Sequence, residues 1–167
     1  IIFIEPIALY MTKDLHIKKD GKWNFKYPNP QEEIPLGEIA EYGEGSALTI
    51  ISYGNGLFLS LQAQKEIERK IKKKTKVIDL RWLSDIDISK LFKSIGKCEN
   101  ILLVDECRQK GCYLEGLYAS LANESKIPLK IKLHAADDSF ISIGKASNVT
   151  LPSKESIIKN ALELINE

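Results

Sequence analysis

The sequence has little of several features that mark common protein classes. Its 24 basic and 23 acidic side chains nearly cancel, leaving a net charge of +1 over 167 residues. So small an excess gives no general attraction for nucleic acid or an anionic membrane. No apolar run approaches the length needed to span a bilayer. With 44% hydrophobic and 28% charged residues, the composition indicates one globular domain, with room for an appended arm.

Cysteines are few and form no CxxC pair. Three are present, Cys98, Cys107 and Cys112, and we expect small buried thiols in a reducing compartment. Cys107 and Cys112 could supply two metal ligands, but neither His16 nor His134 lies near them in sequence. The sequence therefore predicts no metal site.

Glycine-rich nucleotide motifs are also absent. The turn SYGNG at 52–56 enters a predicted helix, where free backbone N–H groups can hold a phosphate. However, the chain contains neither GxGxxG nor GxxxxGK[ST]. We favour a tight strand-to-helix turn over a phosphate site at this position.

The first 36 residues differ from the rest. They open with a strand-like run, IIFIEP, and continue with charged residues, prolines and three alternating aromatics, Trp23, Phe25 and Tyr27. This pattern favours an irregular arm lying against another surface. Because Ile1 enters directly into a predicted strand, we expect a piece of a longer protein. We interpret residues 1–36 as the end of a preceding domain plus a linker.

From Gly37 onwards, strand patterns alternate with helix patterns. Short β-rich runs predict strands near 38–45, 47–54, 76–80, 100–106 and 129–135. LKIKLHA alternates apolar residues with lysine, which is typical of an edge strand. Strands that alternate with amphipathic helices predict an α/β domain with a mostly parallel sheet covered on both faces.

The helices are predicted by apolar stripes and caps. Leu59, Ala63, Ile67 and Ile71 fall four apart, and the lysines at 70 and 72–74 suit a solvated helix end. Asp87 can cap a second helix that stops at Gly96. A third carries Leu114, Leu117, Tyr118 and Leu121, and a last one opens at Pro152 and Ser153, with Ile157, Ile158, Ala161, Leu162 and Ile165 inward.

Charged residues end two predicted strands, where ligands sit in open α/β sheets. Asp79 and Arg81 could pair with each other or bind a small anion. Asp105 and Glu106 point to opposite faces of a strand and are not expected to act together. We expect an ion-pair cluster of Glu106 with Arg81 or Arg108.

Two further side chains were considered for catalysis. Cys107 lies beside Arg108, and a neighbouring cation can lower a thiol pKa, but a structural cysteine is the preferred interpretation. His134 lies in an alternating strand and is expected to be a satisfied structural histidine.

Four segments in order carry a family resemblance. IFIEPIALY, PLGEIAEYGEGSALTIISYGN, VIDLRWLSDID and NILLVDECRQKG resemble the transketolase-type subunit of thiamine-diphosphate-dependent 2-oxo acid dehydrogenases. The match covers the end of the pyrimidine-binding domain and then the C-terminal domain, over about residues 1–121. SFISIGKASNVTLPSKESIIKNAL also resembles the tail of such proteins, especially those with both subunits fused.

The resemblance implies a three-layer fold with a five-stranded sheet whose edge strand, near residues 38–42, runs opposite to the others. The whole protein would use thiamine diphosphate and Mg²⁺, work as a homodimer or heterotetramer, and pass an acyl group to a lipoyl acyltransferase. It would lie in the cytoplasm, or in the mitochondrial matrix of a eukaryote. Because the cofactor-binding segments of the family lie outside this sequence, we expect no cofactor and no activity in this chain alone.

No catalytic residue is therefore assigned. Six residues match the family's strand ends and are expected to serve a domain interface or a structural cluster: Tyr53, Gly54, Asp79, Arg81, Glu106 and Arg108. After Arg108, the residues QKGC replace a more usual glycine-rich turn. The residues alone leave two alternatives open, a transketolase or deoxyxylulose-phosphate synthase domain and a stand-alone module that binds a small phosphate.

Overall fold

Five strands form one sheet. The computed structural model describes residues 1–166. The strands are β1 (Ala40–Tyr42), β2 (Thr49–Ser52), β3 (Lys76–Asp79), β4 (Asn100–Arg108) and β5 (Lys130–Ala136), in the order β1-β3-β2-β4-β5. The helices are α1 (Gly54–Ile71), α2 (Ile88–Ile95), α3 (Tyr113–Glu124) and α4 (Lys154–Asn166).

The strand directions confirm the expected architecture. β1 pairs antiparallel with β3, whereas β2 pairs parallel with β3 and β4, and β4 pairs parallel with β5. β1 and β5 are the two edges, as expected for the short strand after Gly37 and for LKIKLHA. β2, β3 and β4 end at the same side of the sheet, which we call the carboxyl edge.

Alternation along the strands divides the core into two layers. Ile50, Val77 and Leu102 belong to the cluster that packs against α1 and α4. Their neighbours Ile51, Ile78 and Leu103 belong to the cluster that packs against α2 and α3. Successive side chains of a strand point to opposite faces, so a sheet covered on both faces needs continuous apolar runs.

The helix patterns are confirmed. In α1, Ala63 and Ile67 are fully buried, and Leu59 and Ile71 pack partly buried against the same cluster. The Asp87 side chain accepts a hydrogen bond from the Lys90 N–H at 3.1 Å, and α2 ends before Gly96, which has φ +63°. In α4, Ile157, Ile158 and Ala161 are buried, while Leu162 and Ile165 pack partly buried against the same cluster.

Residues 1–36 contain no strand, which makes the expectation of a strand at IIFIEP wrong. A strand needs a neighbouring strand for its hydrogen bonds, and no part of residues 1–166 pairs with this run. A 3₁₀ helix follows at Ile7–Leu9. Further on, Leu15 and Trp23 pack against the core cluster of α1 and α4, so part of the arm is docked on the sheet domain.

One long connection lies between β5 and α4. It contains a 3₁₀ helix at Gly144–Val149. Because β5 runs parallel to β4, this connection leaves the sheet at the carboxyl edge. Among residues 1–166, no helix is both long enough and apolar enough to cross a membrane.

Candidate functional site

The predicted site residues lie at or just after the last residues of β2, β3 and β4, so the parallel sheet brings them to the carboxyl edge. They do not form one continuous cluster there. Tyr53 contacts Asp105, Asn55 contacts Glu106, and Asp79 lies beside Arg81 in separate local groups.

Asp105 is the central polar group of this edge. It is 1% exposed and accepts hydrogen bonds from the Tyr53 hydroxyl at 2.9 Å and from the backbone N–H groups of Cys107 at 2.9 Å and Leu114 at 3.3 Å. These bonds join the end of β4 to the starts of α1 and α3. A buried carboxylate is stabilised when its oxygens accept several such bonds, so Asp105 has the geometry of a structural connector.

Tyr53 supports this connector from the other side. Its ring meets the Tyr113 ring edge-to-face, with 6.2 Å between centroids. Burial, and then the neighbouring Asp105 carboxylate, raise the pKa of Tyr53, so its hydroxyl remains a protonated donor at physiological pH. Such a phenol is unsuited to act as a general base.

Glu106 has a partner different from the expected one. Its carboxylate accepts a hydrogen bond from the Asn55 side-chain amide at 2.6 Å. Burial is the main cause of a raised pKa for Glu106, and Asn55 opposes it. The expected ion pair with Arg81 or Arg108 is wrong, because within residues 1–166 Glu106 forms no ion pair. Asn55 comes from the start of α1, so the partner of Glu106 is an uncharged amide and not an arginine.

Asp79 and Arg81 form a weak pair. The Arg81 Nε lies 3.9 Å from the Asp79 carboxylate, beyond hydrogen-bond distance, and the two side chains are 36% and 16% exposed respectively. Burial raises the pKa of Asp79 to about 6, and the positive charge of Arg81 opposes this rise. Asp79 is therefore a carboxylate at the end of β3 whose negative charge Arg81 compensates only in part.

Arg108 and the turn after it face solvent. Arg108 is exposed and has no ion pair within the described part of the chain. The turn is held by Lys110, which pairs with Asp138 at 3.1 Å, and by the Gln109 N–H, which donates to the Ala136 carbonyl at 3.1 Å. These contacts fix the turn beside the connection that follows β5.

Gly54 adopts a left-handed backbone, with φ +55°, at the first position of α1. A Cβ placed there would lie 3.4 Å from Pro6, so the beginning of the chain covers the turn. Glycine reaches this conformation without the strain that a side chain would bring. The observation supports the interpretation of residues 52–56 as a tight turn.

The cysteines and His134 have structural surroundings. Cys98 and Cys112 are buried as expected, but Cys107 is exposed, which is a correction. Burial, and then the Asp105 charge, raise the pKa of the Cys107 thiol, so the arrangement does not favour a thiolate nucleophile. The His134 Nε2 lies 2.7 Å from the Ser156 hydroxyl, which confirms a satisfied structural histidine.

The carboxyl edge does not fit a diphosphate with its metal ion. The first turn of α1 could offer N–H groups to a phosphate, but Glu106 lies hydrogen-bonded to Asn55 in that same turn. Asp105 adds a second acid next to it, and neither acid has a basic partner. Within residues 1–166, no group of three potential metal ligands comes together.

Exposed apolar side chains have a strongly uneven distribution. Among the described residues, all the large ones lie in residues 1–36 or in the connection 137–151, except for Tyr118 and Ile127. The latter two are 39% and 38% exposed, whereas Phe140 and Ile143 are 86% and 96% exposed. The connection 137–151 lies at the carboxyl edge, so this edge presents an apolar surface to solvent.

Comparison with known proteins agrees with this architecture. The model of the family "Transketolase, C-terminal domain" matches residues 37–157. The chain belongs to the transketolase C-terminal domain family. Pyruvate dehydrogenase E1 component subunit beta of Staphylococcus epidermidis is 32% identical over 148 residues, which are 87% of this chain and 45% of that protein. The same subunit of Staphylococcus aureus is 28% identical over 169 residues, which are 99% of this chain and 48% of that protein.

Solved structures show the same fold. A split gene transketolase, in an inactive beta4 tetramer, superposes with a TM-score of 0.70 at 18% identity, covering 84% of this chain and 45% of that one. The 2-oxoglutarate:ferredoxin oxidoreductase from Magnetococcus marinus gives a TM-score of 0.53 at 18% identity. The superposition covers 77% of this chain and 20% of that one. The transketolase C-terminal domain chain spans about half the length of the curated relatives it matches.

Sequence reasoning missed two residues that organise the edge. Asp105 was considered only as a neighbour of Glu106, and Asn55 only as part of a turn. An available signal was the position of Asp105 directly after the apolar run ILLV, inside a strand covered on both faces. A carboxylate in such a place must find several donors.

Proposed function

We propose that this chain is the C-terminal domain of a decarboxylating component of a 2-oxo acid dehydrogenase, in which it supports dimer and complex assembly and contributes no catalytic residue. The observation that carries this proposal is the concentration of exposed apolar side chains in residues 1–36 and 137–151. Exposed large apolar side chains that are concentrated in a few segments of a domain are a usual mark of an interface.

The polar groups of the carboxyl edge support the same role. Asp105 and Glu106 already have their hydrogen-bond partners in Tyr53 and Asn55. Groups engaged in this way hold the starts of α1 and α3 in place and are not themselves free to act as an acid or a base. The edge therefore suits a surface that positions other domains.

The names of the curated relatives support the reaction class. They are beta subunits of the first component of pyruvate dehydrogenase. The whole protein would then use thiamine diphosphate and Mg²⁺, assemble as a homodimer or with a partner subunit into a heterotetramer, and deliver its acyl group to a lipoyl acyltransferase in the cytoplasm. Activity of the full-length protein on 2-oxo acids, compared with sugar phosphates, tests this class.

Titration calorimetry of the isolated chain tests the non-catalytic role. Thiamine diphosphate with Mg²⁺ should produce no binding heat, because the carboxyl edge combines two acids without a basic partner. Tight binding that depends on Mg²⁺ would overturn the assignment.

The assembly role is tested in the full-length protein. Replacing Phe140 and Ile143 together by serine should weaken the oligomer measured by sedimentation, since both side chains lose contact area in the interface. Ile127→Ser is the matched control, because Ile127 is a partly exposed apolar residue outside both segments. Equal sedimentation of the double variant and the unaltered protein would argue against an interface at 137–151.

A further inference from the structure

A basic groove lies on the α1 and α4 side of the domain. It is lined by His16 from the arm, by Gln62, Lys65, Glu66 and Arg69 from α1, and by Lys154 at the start of α4, and it has a volume of about 230 Å³. Lys65 and Glu66 lie three and four residues after Gln62 and four and three before Arg69, which places the α1 residues on one face of the helix. We call this feature the basic groove.

Positive charge exceeds negative charge in the basic groove. Glu66 is its acid, and it forms an ion pair with Lys154. Lys65 and Arg69 are exposed and form no ion pair within residues 1–166. Arg69 also acts on Glu66, whose pKa its charge helps to lower. Even so, two cations without an ion pair on adjacent turns of one helix repel each other and attract an anion between them.

The charges around the groove also act on His16. Burial lowers the pKa of His16, and the charges of Lys65, Lys22 and Lys154 lower it further, while Asp20 opposes them. The lysines therefore act on one point inside the groove. At neutral pH, His16 is an uncharged ring that can still donate one hydrogen bond.

The wall that carries His16 is fixed in place. The Asp20 carboxylate accepts hydrogen bonds from the N–H groups of Leu15, His16 and Ile17 at 2.9 to 3.1 Å. The Gln62 side-chain amide donates to the Leu15 carbonyl at 2.6 Å, which ties the arm to α1. The groove is thus built by two segments far apart in sequence and held together by specific bonds.

We propose that the basic groove binds a small anion through a phosphate group. A guanidinium offers paired donors to phosphate oxygens, and ammonium groups add point charges, so Arg69, Lys65 and Lys154 form a suitable donor set. The volume admits a phosphate with a small organic part and is below that of pockets for drug-sized ligands. The same chemistry serves free phosphate and a phosphorylated metabolite. This inference is independent of the assembly role.

Histidine NMR of the full chain provides the test, since the sequence has two histidines. The ring signals of His16 and His134 are followed against pH, with inorganic phosphate, with glycerol phosphate, or with potassium chloride of equal ionic strength. Phosphate should move the His16 titration to higher pH more than chloride does. His134, which is bound to Ser156 across the β5–α4 contact, should titrate alike in all solutions.

Three variants locate the binding. Lys65→Ala with Arg69→Ala should weaken phosphate binding by about tenfold or more, since each charged hydrogen bond is worth about 1.5–3 kcal/mol. Glu66→Gln should tighten it, because it removes the acid and releases Lys154. Lys73→Ala is the matched control, because it removes one exposed charge just beyond the end of α1 and outside the groove.

The possible outcomes distinguish a phosphate site from diffuse screening of charge. A His16 response to phosphate that the double variant abolishes and Lys73→Ala preserves supports the site. A stronger response to glycerol phosphate than to inorganic phosphate supports it and identifies a metabolite as the ligand. An equal response to chloride and phosphate, or an equal loss in Lys73→Ala and the double variant, indicates diffuse screening and overturns the proposal. Unchanged His134 signals verify that each variant is folded.

Discussion

Carboxylates at the carboxyl edge occupy two different environments. Asp105 has three donors around it, whereas no hydrogen bond to the Asp79 carboxylate is found among residues 1–166. A buried charge that lacks donors destabilises the folded state, and one that is fully satisfied fixes the groups around it. β3 and β4, which flank β2 in the sheet, should therefore respond in opposite directions when the acid near the end of each strand is removed.

Asp105→Ala should lower the free energy of unfolding by about 2–4 kcal/mol, because the Tyr53 hydroxyl and two backbone N–H groups lose their acceptor. Urea denaturation at pH 7 measures the effect. Glu106→Gln is the matched control, since a glutamine oxygen can still accept from Asn55, and it should change stability by less than about 0.5 kcal/mol. Equal effects would show that Asp105 is not the connector.

Asp79→Asn should stabilise the protein above pH 6. The folded pKa of about 6 exceeds the unfolded value of about 3.9, so the stability contributed by the neutral form is present below pH 4 and is lost as pH rises through 6. At pH 8 the gain should approach about 2–3 kcal/mol and should vanish near pH 3.5. Denaturation curves across this range give the difference, and a gain that does not depend on pH would contradict the assignment.

At the scale of elements, a glycine lets two loops approach more closely than a residue with a side chain would permit. The Gly45 N–H donates to the Thr75 carbonyl at 3.3 Å, where the turn before β2 meets the end of the α1–β3 connection. A Cβ at Gly45 would overlap the backbone of Lys74 and Thr75. Backbone cannot move aside as a flexible side chain can, so this crossing requires glycine.

Gly45→Ala should therefore destabilise the domain by more than about 3 kcal/mol or prevent folding. Gly116→Ala offers a contrast within the same chain. Gly116 lies inside α3 with open space around its Cα, so alanine there should stabilise by about 0.5–1 kcal/mol. Thermal unfolding of both variants measures the difference, and similar midpoints would refute the packing argument.

Much of each element was predictable from the sequence. The apolar run around Ile50 and Ile51, the α1 stripe and the Asp87 cap are local signals, and all were confirmed in the structure. The candidate site was predictable as a location, since strand ends converge in a parallel sheet. The hydrogen-bond partners within the site were not predictable, because the partner of Glu106 is Asn55, which lies 51 residues away in the chain.

On the scale of the whole molecule, the arm belongs partly to the folded domain. The Trp23 ring packs edge-on against Phe58 of α1, with 5.0 Å between centroids, and against Phe25 at 5.3 Å. The family match begins at residue 37, yet Leu15 and Trp23 contact the core. Residues 1–11, in contrast, leave most of their apolar side chains in solvent.

Two truncations should distinguish the exposed residues 1–11 from the part of the arm that packs on the domain. Removing residues 1–11 should change the free energy of unfolding by less than about 1 kcal/mol, whereas removing residues 1–26 should lower it by about 3 kcal/mol or more, because Phe58 and the α1 face lose their cover. Urea denaturation of the two shortened chains provides the comparison. Equal stability would mean that the arm is a linker throughout its length.

Sequence alone determined the element types and their order from Gly37 onwards, because apolar periodicity and caps act within a few residues, and its motifs in order determined the family. Tertiary structure alone decided which polar groups meet. It placed Asp105 under Tyr53, exposed Cys107, left IIFIEP without a strand partner and brought His16 to Lys65 and Lys154. The physical reason is that a hydrogen bond or charge interaction depends on distances that the packing of remote segments sets.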